Sequence, residues 1–173
     1  MMRIASAALL RNAILLAGLI IVADQLSKWW IMVEVMNPPR VIPLLAVGDT
    51  GLNLVMAWNT GVSFSMLRGT GPYLLSALAV AVSVGLVIWL TRLTSRLPAY
   101  AVGLIIGGAL GNVVDRLRFG AVFDFIDFYV GTWHWPAFNL ADSAITVGVV
   151  LLLFDALFQS PDRGKNTAGS EAP

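Results

Sequence analysis

The chain has no cysteine, one histidine and few charges in its 173 residues. Without cysteine there can be no disulfide, no thiol nucleophile and no thiolate-bound metal. The lone imidazole, His134, cannot build a histidine-rich zinc site, and no cofactor or metal is expected. Charged residues make up 12% of the chain, against roughly a quarter in soluble domains. The net charge of +1 and the lack of a concentrated basic face argue against nucleic acid as a partner. No glycine-rich phosphate loop is present.

What is abundant is apolar sequence, 58% of the residues with a mean hydropathy of +0.81. Four apolar segments stand out, Ala13 to Met36, Tyr73 to Leu90, Ala99 to Val114 and Ala141 to Phe158. Each reaches or approaches the ~20 residues a helix needs to cross a bilayer. The expected fold is therefore an all-α membrane protein with four transmembrane helices, in one domain spanning 1–173. Arg3 and Arg11 followed by an apolar stretch ending Ile21-Val22-Ala23 imitate a cleavable signal peptide. Apolar sequence resumes at Trp29, however, and spanning length is reached only by continuing through Lys28, so a retained first helix is the better reading.

Arg3, Arg11, Arg92, Arg96, Arg163 and Lys165 lie at the ends of these segments that place both termini and the short middle loop inside. The connections Asn37 to Pro72 and Leu117 to Phe138 then face outward, although Arg40, Arg68 and Arg118 make the bias imperfect. The first is long, carries Pro38-Pro39, Pro43, Gly48 and Gly51, and continues into the apolar run Leu52 to Trp58. Short strands and an amphipathic piece resting on the membrane surface are expected there. The second is dense in Phe, Tyr and Trp, which suits the headgroup region. The polar tail from Ser160 reads as mobile coil on the inner side. No internal repeat points to an inverted-repeat transporter.

Polar residues in so apolar a chain need reasons. Asp24 and Lys28 stand four apart in the acid-first order that favours pairing on a helix, with Lys28 expected to snorkel toward the outer surface. Asn59-Thr60-Gly61 is by itself a turn signal. Gly103, Gly107, Gly108 and Gly111 form a small-residue face for close helix packing. Beyond them Asn112, Asp115 and Arg116 share one arc, and Arg116 has Asp115 as its nearest carboxylate partner. Asn139, Asp142, Ser143 and Thr146 share another face, where Asn139 could be an N-cap and Asp142 its reciprocal partner. That role would not explain Asp124, a carboxylate in the Phe-rich Val122-Phe123-Asp124-Phe125, where desolvation should raise its pKa.

Two carboxylates in one low-dielectric site can split into an ionised base and a protonated acid, which is what amide hydrolysis by water requires. Asp124 and Asp142 are the candidate pair, with Asp127 the rival for the first place. Weaker alternatives are Lys28 acting with Ser63 or Ser65, and Ser143 acting with His134. A small ion-coupled transporter with intramembrane acids, or a structural subunit, would be non-enzymatic readings.

Five blocks in order carry a resemblance to a known family: Asp24-Gln-Leu-Ser-Lys28, Asn59-Thr-Gly-Val-Ser-Phe64, Gly107-Gly-Ala-Leu-Gly-Asn112-Val-Val-Asp115-Arg116, Val122-Phe-Asp124-Phe125 and Phe138-Asn139-Leu-Ala-Asp142. Together they resemble the lipoprotein signal peptidases, also called type II signal peptidases. The resemblance implies a multi-pass aspartic endopeptidase of the bacterial inner membrane, working toward the periplasm as a monomer. It would remove signal peptides from prolipoproteins just before a diacylglyceryl-modified cysteine. It maps the catalytic pair onto Asp124 and Asp142, and supporting or substrate-binding positions onto Asp24, Lys28, Asn59, Gly108, Asn112, Asp115, Arg116, Asn139 and Ala141. It also implies a small periplasmic β-sheet and a lid-like amphipathic surface helix.

Overall fold

The computed structural model describes residues 5–61 and 71–158. Four helices are long and apolar enough to cross a membrane. Helix α1 (Ala7–Trp30) starts at Ser6, whose hydroxyl accepts the Leu9 N–H, and widens into a π-helical turn over Ile31–Val35. Helix α2 (Gly71–Leu90) and helix α3 (Arg96–Phe119) are joined by a short turn. Pro98 sits in the first turn of α3, where its missing N–H costs nothing, and Gly120 closes that helix at φ +72°. Helix α4 (Leu140–Phe158) completes the set.

Only α3 is buried over most of its length, and the other three pack around it. Its glycines set the spacing. A methyl at Gly103 would stand 2.6 Å from the Ala13 carbonyl oxygen, and one at Gly107 2.7 Å from that of Ala17. A methyl at Gly108 would collide with the Ala141 carbonyl oxygen on α4. The small-residue face thus serves packing, as expected, and it draws α1 and α4 against the same helix. The outward surfaces of α1, α2 and α4 carry exposed Leu, Val, Ile, Phe and Trp, a surface made for lipid rather than water.

Both long connections fold into one antiparallel sheet ordered β1-β2-β3-β4, comprising β1 (Ile42–Val47), β2 (Thr50–Asn59), β3 (Val122–Val130) and β4 (Trp133–His134). The expected short strands are present, and Leu52 to Trp58 lies within β2. Among residues 37–61 no surface helix follows them. The rest of that connection, residues 62–70, lies outside the described residues, as does the tail from Ser160 expected to be coil. Register places Asn59 opposite Val122, Ala57 opposite Asp124 and Asn53 opposite Asp127. Met36, Phe123 and Phe125 fill the space between sheet and π-helical turn. The sheet therefore stands on the end of the bundle where α3 finishes and α4 begins.

Candidate active site

Asp124 projects from β3 and Asp142 from the first turn of α4, and Asn139 joins them. The Asn139 amide donates to Asp124 Oδ1 at 2.7 Å. Its side-chain oxygen accepts the Asp142 N–H at 2.9 Å, while its own N–H donates to Asp142 Oδ2 at 3.2 Å. The capping box inferred from spacing is thus real, and it also anchors the candidate pair: the cap that starts α4 fixes the Asp142 carboxylate and reaches across to Asp124. Asn112 Nδ2 donates to Asp142 Oδ1 at 2.8 Å, and Asn112 Oδ1 accepts from Asn139 at 3.1 Å. Both asparagines are buried, so their amides have little freedom to turn.

Asp124 is only 2% exposed. Burial lifts its carboxyl from the ordinary 3.8 to about 6, with hydrogen bonds from Asn59 and Asn139 opposing the rise and the nearby Asp142 charge adding to it. This is the desolvated carboxylate expected of the Phe-rich segment. Asn59 also accepts the Gly61 N–H at 2.8 Å, so the turn signal and the site position are one residue. Gly61 adopts φ +72°, a conformation glycine takes without strain.

A second buried cluster supports the first. Lys28 Nζ lies 2.8 Å from Asp24 Oδ2, 2.8 Å from Asp115 Oδ2 and 3.2 Å from Asn112 Oδ1. The Asp24–Lys28 pair expected from spacing forms, but Lys28 does not snorkel; it is 3% exposed and points inward. The reason is Asp115, a second carboxylate on α3 that sequence distance concealed. For the same reason Asp115 is the partner of Lys28 rather than of Arg116, correcting the expected local pair. Asp24 Oδ1 accepts the Ala141 N–H at 3.0 Å and so holds the first turn of α4. Asp115 Oδ2 accepts the Phe123 N–H at 3.1 Å and so holds the start of β3. The two carboxylates of the cluster therefore tether the two elements that carry Asp142 and Asp124.

Gln25 completes this cluster and was given no role from sequence. Its amide donates to Asp115 Oδ1 at 2.7 Å and to the Gly111 carbonyl at 3.2 Å. The available signal was an uncharged polar side chain inside a spanning helix, which needs a partner somewhere. Arg116 lies within electrostatic reach of Asp142, Asp124 and Asp115. Its buried Nε has no hydrogen-bond partner among the described residues.

Among the described residues, neither the Asp127 rival nor the Ser143–His134 arrangement is assembled. Asp127 faces away from Asp124, accepting from Asn53 at 2.9 Å and meeting His134 Nδ1 at 2.8 Å. Burial pushes its carboxyl up, but these hydrogen bonds and the His134 charge outweigh burial and hold it below the ordinary value. His134, half exposed and stacked on Tyr129, is thereby committed to the sheet. Ser143 donates to the Asn139 carbonyl of its own helix at 2.9 Å and has no imidazole beside it. Ser63 and Ser65 lie outside the described residues, and the three donors of Lys28 are spent on Asp24, Asp115 and Asn112.

Comparison with known proteins bears on the family and the fold. The family model for signal peptidase (SPase) II matches residues 16–158. A lipoprotein signal peptidase of Methylocella silvestris is 44% identical over 162 residues, covering 90% of both chains. Another, from Rhodopseudomonas palustris, is 43% identical over 160 residues, covering 87% of this chain and 94% of its own. A solved bacterial membrane enzyme superposes with a TM-score of 0.74 at 26% identity, covering 98% of this chain and 99% of that one. A second gives 0.72 at 27% identity, covering 92% and 99%.

Proposed function

The chain belongs to the signal peptidase II family, and we propose that it is an aspartic endopeptidase of the bacterial inner membrane, using Asp124 and Asp142 to cut diacylglyceryl-modified prolipoproteins before the lipidated cysteine. The observation that carries the mechanism is Asn139, bonded at once to Asp124 and Asp142, in a pocket where burial keeps a proton on Asp124 up to about pH 6.

Asp142 acts as base, since both of its oxygens already accept N–H groups, from Asn112 and from the Asn139 backbone. It takes a proton from water as the water oxygen bonds to the scissile carbonyl carbon. Asp124 gives its proton to the carbonyl oxygen, so the intermediate is a neutral gem-diol. On collapse Asp124 recovers that proton, the C–N bond breaks, and the proton held on Asp142 passes to the leaving nitrogen. Both carboxyls end as they began. Arg116 Nε is a buried donor available to the peptide backbone.

The site lies where spanning helices meet the sheet, at headgroup depth. A lipidated substrate reaching it laterally keeps its acyl chains in the bilayer, avoiding about 0.8 kcal/mol for each CH₂ brought into water. The positive residues Arg11, Arg92 and Arg96 gather at the other end, which supports an orientation with the termini in the cytoplasm and the site toward the periplasm. Asp124, Asp142 and Asn139 all come from one chain, which supports a monomer as the working unit.

The test uses purified protein in detergent with a diacylglyceryl-modified precursor peptide. Asp124→Asn and Asp142→Asn are each expected to abolish cleavage while the protein stays folded. Normal turnover by either folded variant would end the two-aspartate mechanism.

A further inference from the structure

The backbone next to Asp124 is tethered by a carboxylate that itself needs support. Asp115 Oδ2 accepts from Lys28 Nζ at 2.8 Å and from the Phe123 N–H at 3.1 Å. Lys28 is also shared with Asp24 and Asn112. An ammonium is a compact charge with rotatable donors, so it sets the distance of a carboxylate more than its rotation. That rotation decides whether an oxygen of Asp115 faces the Phe123 N–H.

Asp115 Oδ1 has one donor among the described residues, Gln25 Nε2 at 2.7 Å. The Gln25 amide is held at both of its ends. Its nitrogen lies 3.2 Å from the Gly111 carbonyl oxygen and 3.3 Å from Asp24 Oδ2, and its oxygen accepts from Arg118 Nη1 at 3.4 Å. Only an amide supplies donors and an acceptor at one tip. A glutamate here would set a third carboxylate against Asp24 and Asp115, and an apolar side chain would leave Oδ1 without a donor. Close packing does not replace these bonds, because a cavity of about 210 Å³ runs beside Gln25, Asp115 and Phe123. On that side the start of β3 is positioned by hydrogen bonds.

We propose that Gln25 is a positioning residue for the acid of the pair: by holding Asp115 Oδ1 it turns Oδ2 onto the Phe123 N–H and so keeps Asp124 in its buried place beside Asn139. The inference rests on the reading of Asp124 as general acid and extends it to a residue on α1 that bonds to neither aspartate of the dyad.

Gln25→Met keeps the length of the side chain and removes the amide. In detergent, on a diacylglyceryl-modified precursor peptide, its kcat should fall about tenfold with little change in KM. The alkaline limb of its kcat/KM profile should move to lower pH, because a loosened Asp124 turns toward water and regains ordinary acidity. The charged groups facing Asp124 are Asp142 from α4, Arg116 from α3 and Lys28 from α1, and the variant keeps all three, so a moved limb reports the position of Asp124. A folded Gln25→Met with wild-type kcat overturns the proposal. A lower kcat with a limb that stays or rises overturns it too, leaving Gln25 a structural support alone. Should Gln25→Met fail to fold, Gln25→Asn, one methylene too short to bring its amide to Asp115 Oδ1, is judged by the same two measurements. Asp124→Asn separates the two levels: normal cleavage by that variant removes the two-aspartate reading itself, whereas an inactive Asp124→Asn beside a fully active Gln25→Met removes only the role of Gln25.

Discussion

Asn139 does two jobs that substitution can separate. Its side-chain oxygen caps α4 through the Asp142 N–H, and its amide nitrogen reaches Asp124, Asn112 and, at 3.4 Å, the Phe123 carbonyl. Asn139→Ala removes both. Losing the cap costs about 1 kcal/mol. Losing a hydrogen bond to an ionisable partner costs about 1.5–3 kcal/mol, and if that bond aligns the dyad, the rate should fall about 10- to 150-fold. Asn139→Ser keeps the cap, because serine is as good an N-cap as asparagine, but its hydroxyl is too short to bridge to Asp124. The two variants should then diverge by assay. In thermal unfolding Asn139→Ala should melt about 2–4 °C lower, and Asn139→Ser should recover most of that loss. In cleavage of a diacylglyceryl-modified peptide both should show the same large drop in kcat/KM. A folded Asn139→Ser with wild-type kcat/KM would refute the claim that this residue aligns the pair, and would leave it a helix cap alone.

Other expectations follow from the same network. Asp124 has its folded-state pKa raised to about 6, so its protonated form stabilises the fold below about pH 4 and that contribution is lost as pH rises through 6. Asp124→Asn should therefore raise stability at pH 8 by up to about 3 kcal/mol and give no gain at pH 4, and an equal gain at both would count against a buried, lifted carboxyl. If Asp124 is the general acid, kcat/KM should decline above its titration, which a pH–rate profile will read. Gly108→Ala forces a methyl against the Ala141 carbonyl and should cost about 1–3 kcal/mol with reduced turnover, whereas Gly18→Ala, with open space around it, should be neutral. Asp24→Asn breaks a buried ion pair and should cost about 3–5 kcal/mol, seen as a lower melting temperature. Asp127→Asn, on the opposite side of β3 from the dyad, should cleave at close to the wild-type rate, since its partners Asn53 and His134 belong to the sheet and not to the site.

The legibility of this molecule followed the range of each interaction. The four helices were readable because hydrophobic length is local, and so was the Asn139–Asp142 box, whose partners are three residues apart. Asp24 and Lys28 were readable as a pair for the same reason. What periodicity alone could not supply was the third member, Asp115, 87 positions beyond Lys28 and brought to it by packing of α1 on α3. That omission produced both wrong details, the outward Lys28 and the Asp115–Arg116 pair. Nor could the residues alone decide between Asp124 and Asp127, because the two differ by strand parity and by the neighbours that parity selects. Register against β2 gives Asp127 the Asn53 amide and leaves Asp124 opposite Ala57.

The same contrast bears on how a carboxylate can be kept protonated without losing its position. Asp127 sits among donors on the other side of β3, and its environment favours the charge. Asp124, three residues away, is given fewer compensations than burial demands, and its environment favours the proton. Three steps along one strand are enough to produce opposite electrostatics because successive side chains face opposite sides. Holding Asp124 in that costly place requires fixed ends. Asp115 supplies one by binding the Phe123 N–H immediately before it, and Asn139 supplies the other from the cap of α4. The buried Asp24–Lys28–Asp115 cluster thus bears on the chemistry through the backbone: it fixes the strand on which an unfavourable carboxyl is held. A relaxed strand would let Asp124 turn toward water, restore its ordinary acidity and lose the acid of the pair.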